Sequence, residues 1–262
     1  MSAFLALLLI GLAAIFQAAF LLRRENPRDP ASPWILLAAS LLLVETLVQR
    51  SIRVRSVAVA GMNESLVLLS AAVCALLFVL RRARRTRDLH PLVMFGTTLV
   101  SLALLLVSRS PLVSRDMQPP VPGLSAPWPV LHVVITVISE SFFVVAFIAG
   151  AGFLASRKDE TRAALDRLTA ASVGIGYPLF TIGALVFGAI WAKTAWGAWW
   201  SWDPKETAAL VTWLIYTALI LSWIAKKPGG TLRAVLAIVG FLAALFTFFG
   251  VNSLLPGLHV SR

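Results

Sequence analysis

Apolar residues run through this chain in long stretches separated by short polar and basic segments. The stretches that lack proline and clustered charge lie at about 2–22, 34–48, 56–80, 91–108, 129–155, 172–192, 207–225 and 234–254. Lipid cannot satisfy free backbone N–H and C=O groups, so a helix is the default spanning element, and about 20 apolar residues cross the hydrocarbon layer. The pattern therefore predicts an all-α fold, a polytopic integral membrane helical bundle of about eight transmembrane helices forming a single transmembrane domain over 1–262. The second stretch is short and carries Glu45. The first ends at Arg23-Arg24 with no small-residue cleavage site before it, and is read as a retained span rather than a removed signal. There is no internal repeat, no low-complexity tract and no room for a soluble domain.

Composition agrees with that pattern. Of 262 residues, 59% are hydrophobic and 13% charged, against roughly 25% charged in soluble domains. The net charge of +11 would suggest a nucleic-acid partner in a soluble protein. Here the basic residues lie between apolar stretches, where orienting the helices accounts for them, and no nucleic-acid partner is expected. A single cysteine, Cys74, excludes an internal disulfide framework, a Cys-x-x-Cys redox pair and a Cys-x-x-Cys-His attachment site within the chain.

The basic residues also suggest which way the helices face. Loops 1, 3, 5 and 7 hold Arg23, Arg24, Arg28; Arg81, Arg82, Arg84, Arg85, Arg87; Arg157, Lys158, Arg162, Arg167; and Lys226, Lys227, Arg233, fifteen in all. The even loops and the tail hold eight: Arg50, Arg53, Arg55, Arg109, Arg115, Lys193, Lys205 and Arg262. Basic residues favour the cytoplasmic side, so both termini are expected on the outer face. His132, the segment from Trp191 to Glu206 and His259 then share that face, while His90 falls on the inner one.

Five of the nine tryptophans lie in the segment 191–206, between spans 6 and 7: Trp191, Trp196, Trp199, Trp200 and Trp202. Trp196, Trp199 and Trp202 are three apart, a spacing that stacks them along one face of a helix or helical turn. Such a plate at the bilayer edge suits a large, flat, apolar ligand with polar edges, a description haem meets. An interfacial aromatic belt is the competing reading, because Trp concentrates at the headgroup level; Trp34, Trp128 and Trp223 are assigned to that class. Asp203-Pro204 ends the plate and, with Glu206, forms a pattern close to a capping box for span 7.

At this segment the sequence resembles a known family. The run from Trp196 through Trp199-Trp200-Ser201-Trp202-Asp203-Pro204-Lys205-Glu206 is similar to the tryptophan-rich signature of haem-handling proteins in cytochrome c assembly. Its Asp-Pro-Lys-Glu ending resembles the CcsA (ResC) branch more than the CcmC branch. The stretch Gly174 to Gly183, Phe249 to Asn252 and Gly257-Leu258-His259 extend the similarity over about 130–262, with Asn63-Glu64-Ser65-Leu66 a weaker echo.

The resemblance implies a site. In that family two histidines flanking the tryptophan segment ligate haem iron from opposite faces; by position these are His132 and His259, with Trp191, Trp196, Trp199, Trp200, Trp202 and Asp203 around the haem b. His90 lacks such company and is read as solvated. The family also tends to carry a histidine in the span after the signature, linked to a second, membrane-embedded haem site. That position falls near Leu221 here, which puts the loading route in question.

Charges within spans are costly in hydrocarbon and invite a role. Glu140, eight residues after His132, is read as orienting that histidine through water, as serving a proton path, or as a helix–helix hydrogen-bond partner. Arg50, Arg53, Arg55 and Lys205 are candidates for haem propionates, with solvated roles the default.

The resemblance thus implies a membrane subunit of a holocytochrome c synthase (cytochrome c haem lyase) in the bacterial plasma membrane. It would present haem on the outer face for attachment to the Cys-x-x-Cys-His of apocytochrome c. A CcsB/ResB-type membrane protein, a thiol-reducing protein and membrane lipid are the further expected partners. The alternatives are a haem exporter or chaperone of the CcmC type without covalent chemistry, a diverged member lacking the inner haem site, and a non-haem transporter whose tryptophans are only anchors.

Overall fold

The structure is a computed structural model, and it describes residues 1–22, 29–59, 61–83, 90–115, 127–225 and 230–250. Among the described residues every regular element is helical. The helices are α1 (Ser2–Leu21), α2 (Ser32–Val54), α3 (Met62–Arg82), α4 (Pro91–Arg109), α5 (Trp128–Ala155), α6 (Asp159–Phe180), α7 (Gly188–Trp196), α8 (Pro204–Ile224) and α9 (Gly230–Leu245). A π-helical segment, Thr181–Phe187, joins α6 to α7, and a second, Phe246–Gly250, follows α9. Eight helical stretches are long and apolar enough to cross a membrane, with α6 to α7 counted as one rod, Asp159–Trp196. The chain is a multi-pass membrane protein.

It forms two compact units, Met1–Val121 and Pro122–Arg262. In the first, α3 packs between α2 and α4, and α1 closes against both. Leu36, Leu43, Leu66, Val73, Leu77 and Leu105 are fully buried there. Hydroxyl groups tie these helices at depth. Ser40 Oγ donates to the Ala71 carbonyl at 3.0 Å, and Ser70 and Ser101 share a 2.8 Å contact between their oxygens.

In the second unit α5 is central, packing on α6, α9 and the π-helical segment. Phe143, Val144, Val145, Ala146 and Ala149 are wholly buried along it. The Phe143 ring stacks on Tyr216 of α8 at 3.8 Å between centroids. Away from the tryptophan segment, Arg233 of α9 grips Asp166 of α6 with two parallel hydrogen bonds of 2.7 and 2.6 Å.

Two sequence expectations change here. Span 2 reaches 23 residues, longer than its apolar stretch, because Glu45 is exposed on the helix surface and does not interrupt it. The helix of span 6 begins at Asp159, so Arg162 and Arg167 lie on it rather than in a loop. The connection between α5 and α6 is only residues 156–158. Acidic Asp159 and Glu160 occupy its first turn, where they complement the positive end of the helix dipole.

Candidate functional site

The site begins with a break in helical regularity. Pro178 lies inside α6; proline has no N–H to donate and crowds the preceding turn, so regular α geometry is hard to sustain around it. Three residues later the backbone widens into the seven-residue π-helical segment Thr181–Phe187. Single-turn π distortions within α-helices concentrate at functional sites. Gly183, in that segment, approaches α5 so closely that an added Cβ would lie 2.7 Å from the Thr136 backbone nitrogen. Only glycine fits there.

This close approach brings the Gly183 carbonyl to His132, in the first turns of α5. His132 Nδ1 lies 2.8 Å from the Gly183 oxygen. A carbonyl accepts and cannot donate, so Nδ1 carries the proton and Nε2 holds the ring's lone pair. Metal-ligating histidines are held in this way, their second nitrogen donating to a carbonyl or carboxylate that fixes tautomer and ring angle. Gly188, where α7 starts, would place a Cβ 3.3 Å from the same Nδ1, so the imidazole is packed against the α7 backbone. The orienting partner of Nδ1 is therefore the Gly183 carbonyl.

Aromatic rings gather around the imidazole. Trp191 lies 5.6 Å from the His132 ring and 5.8 Å from Trp196, and Trp128 stacks on Phe187 at 5.9 Å. Trp128 is also 37% exposed. Beneath these rings, Trp213 Nε1 of α8 donates to Thr181 Oγ1 at 2.9 Å, and Tyr177 and Thr217 oxygens lie 2.9 Å apart.

The helical plate expected from the three-residue spacing does not form. Trp191 and Trp196 belong to α7, which Gly197 ends in the left-handed conformation at φ 80°, and residues 197–203 are irregular. Trp200 and Trp202 pack edge to face at 5.9 Å. Trp202 has a φ of 56°, unfavourable for a residue with a Cβ. The Glu206 carboxylate offsets that cost by accepting from Ser201 N at 2.8 Å, Ser201 Oγ at 3.1 Å and Asp203 N at 3.3 Å. Trp199 is 58% and Trp202 69% exposed.

The capping pattern at Asp203 holds. Its carboxylate accepts from Lys205 N at 2.9 Å while Glu206 reaches back to the Asp203 N–H, a complete capping box at the start of α8. Asp203 is 5% exposed and serves α8 and the loop.

The remaining sequence candidates are placed differently from one another. His259 lies outside the described residues. His90 is half-buried, not solvated: its Nδ1 accepts from Leu92 N at 3.2 Å and caps α4, and burial holds its pKa below the ordinary imidazole value. Leu221 is 59% exposed on α8. Glu64 is buried and ion-paired with Arg50, whose guanidinium also donates to the Arg115 carbonyl at 3.0 Å. Arg50 is thus engaged within its own unit rather than solvated.

Sequence reasoning named Gly183 and Thr181 only within the family-like stretch Gly174 to Gly183, without a role, and missed Gly188. Pro178 followed by Gly183 was the available signal, since a proline followed by a glycine on one helix announces irregular backbone.

The family described as "Cytochrome C assembly protein" matches residues 59–259. The match reaches well into the first half, where sequence reading found chiefly a shared layout, and ends on His259. The chain is 34% identical over 248 residues to the cytochrome c biogenesis protein CcsA of Chlamydomonas reinhardtii, covering 89% of this chain and 69% of that protein. To the CcsA of Pyropia yezoensis it is 33% identical over 217 residues, covering 64% of this chain and 66% of that protein. To that of Gloeothece citriformis it is 47% identical over 95 residues, 36% of this chain and 29% of the relative. Among solved structures, a cytochrome c haem lyase, CcmF, superposes with a TM-score of 0.69 at 19% identity, over 95% of this chain and 47% of the lyase. That likeness is one of fold. The chain spans about two thirds of the length of the first two relatives and under half that of the lyase.

Proposed function

Because the chain belongs to the cytochrome c assembly protein family, in its CcsA branch, we propose that it binds haem at the end of the second unit where α5, α7 and the tryptophan segment converge. There it presents the haem to an apocytochrome c, as part of a cytochrome c synthase. One observation carries the reading. The His132 ring is held by the Gly183 carbonyl in the tautomer whose Nε2 lone pair can bind iron, beside Trp191.

The residues present fit haem. An imidazole of fixed tautomer is a suitable axial ligand, and exposed indoles offer apolar faces for a flat macrocycle. By family likeness His259 would supply the second ligand, from outside the described residues. Bound haem supplies the vinyl groups to which the two thiols of a Cys-x-x-Cys-His sequence add, sulfur to one vinyl carbon and hydrogen to the other, with no net redox change. The chain's own contribution is position. His132 would hold the haem iron and Trp199 and Trp202 would offer apolar surface to the macrocycle, while the Glu206 network keeps the segment in one arrangement. Holding the partners in register substitutes for high reactant concentration.

The excess of basic residues in the odd loops supports placing this end outside the cytoplasm. A CcsB/ResB-type membrane protein and a thiol reductant complete the assembly in this reading, since the single cysteine, Cys74, is buried.

Visible spectra of the purified protein, beside His132→Gly and His259→Gly, test the site. Each variant is expected to lose the low-spin bis-imidazole spectrum and to regain it with added imidazole. Unchanged spectra in both variants would sink the assignment.

A further inference from the structure

At the end of the first unit where α2 and α4 finish, three arginines lie near one another, and one of them pairs with a carboxylate. Arg50, in the last turns of α2, is ion-paired with Glu64 in the first turn of α3, and both side chains are largely buried, 18% and 10% exposed. The same guanidinium donates to the Arg115 carbonyl at 3.0 Å, and Arg115 in turn donates to the Arg109 carbonyl, at the C-terminus of α4, at 3.1 Å. Arg109 lies within electrostatic range of both other guanidiniums. Three positive charges are thus linked here, and among the described residues the one carboxylate shown against them is Glu64, paired with Arg50. Asp116, next in the chain, lies outside them. Arg50 Nε is sequestered with no hydrogen-bond partner.

Glu64 and the two carbonyls account for how Arg50 and Arg115 are held, but not for the charge left over among the described residues. Like charges drawn together and partly removed from water are costly unless a counter-charge reaches them. Guanidinium matches the geometry of tetrahedral oxyanions, offering paired N–H donors to several oxygens at once. The cluster lies where two spans finish, and basic side chains at the ends of spans meet lipid phosphates.

We propose that Arg50, Arg109 and Arg115 form a binding site for a phosphate-type oxyanion, with Glu64 as its built-in orienting carboxylate; the phosphodiester of a lipid headgroup and free phosphate share this chemistry. The site stands independently of the haem reading, which rests on the second unit.

The experiment uses the full chain, delipidated in a neutral detergent, beside Arg115→Gln and an Arg109→Gln/Arg115→Gln pair. One arm measures retention of phosphatidylglycerol by native mass spectrometry. The other measures thermal stabilisation by inorganic phosphate against chloride at equal ionic strength. Loss of either charged hydrogen-bonding arginine is expected to weaken binding about tenfold. Retained phosphatidylglycerol that the variants release supports the site with a lipid occupant. Stabilisation by phosphate alone, lost in the variants, supports it with a soluble one. Binding in neither arm, or equal binding by the variants, overturns it. Arg115 is exposed, so its single variant decides the matter if the pair does not fold.

Discussion

The α3–α4 pair in the first unit and the Asp159–Trp196 rod in the second are both apolar helical segments of a membrane protein, yet they treat polar groups in opposite ways. Between α3 and α4, Ser70 and Ser101 bond to each other and to each other's carbonyls, at 2.8 to 3.2 Å, and both helices stay regular. In the rod, regular geometry is lost over Thr181–Phe187, and a backbone carbonyl there holds an imidazole. A hydroxyl can bridge two helices without disturbing either backbone. The Gly183 carbonyl instead bonds an imidazole where its own backbone is irregular, and a membrane tolerates irregular backbone only where protein or a cavity surrounds it. Polar bonding that leaves a helix intact belongs to packing; polar bonding that distorts one points to a site.

Substitution at the distorted segment should have the largest effect. Gly183→Ala drives a Cβ to within 2.7 Å of the Thr136 nitrogen, a backbone atom that cannot step aside. The expected loss is about 1–3 kcal/mol, read as a lower midpoint of thermal unfolding, accompanied by loss of the haem spectrum as the His132 partner moves. Gly11→Ala, where an added Cβ meets nothing within 4 Å, is the matched control and should leave both readings unchanged. If the two variants behave alike, the contrast between the regions is wrong.

Next in size is Asp203→Ala, which removes the N-cap of α8 and is expected to cost about 1 kcal/mol. Its sharper readout is tryptophan emission. The cap and the Glu206 network hold one loop, so Trp199 and Trp202 should shift in environment, whereas a simple helix-end defect would leave emission unaltered.

The smallest effect is expected at the regular pair. Ser101→Ala removes hydroxyl bonds to Ser70 and Cys74, and interhelical hydrogen bonds in membranes average about 0.6 kcal/mol. Unfolding in detergent should shift slightly, with haem binding unchanged. A loss of haem in this variant would place the first unit in the site's energetics.

Features governed by local chemistry were legible in advance. Apolar stretches locate the spans because the hydrocarbon layer imposes its thickness on any helix that crosses it. The Asp203–Glu206 capping box was readable because its bonds close within one helical turn. The start of α6 at Asp159 was not, since the charged positions at 159–167 interrupt the apolar pattern without interrupting the helix. Trp196, Trp199 and Trp202 misled for a related reason. A three-residue spacing describes one helix face only while the backbone stays helical, and Gly197 ends the helix one residue after Trp196.

Long-range pairings escaped altogether. His132 and Gly183 are 51 residues apart, and nothing in either neighbourhood names the other. Arg50 reads as a solvated orienting charge until Glu64, from another helix, is found against it. No property of an arginine at a span's end reveals which carboxylate it meets.

The amino-acid sequence alone determined that this chain is helical and membrane-spanning, where its spans fall, and which family signature its tryptophan segment bears. Each of these follows from transfer free energies or short-range patterns carried by consecutive residues. Tertiary structure alone decided that the tryptophan segment is a strained loop rather than a helical plate, that the Gly183 carbonyl sets the His132 tautomer, and that Arg50 meets Glu64. Those outcomes depend on how closely separate helices approach, which is settled by packing among residues far apart in the chain.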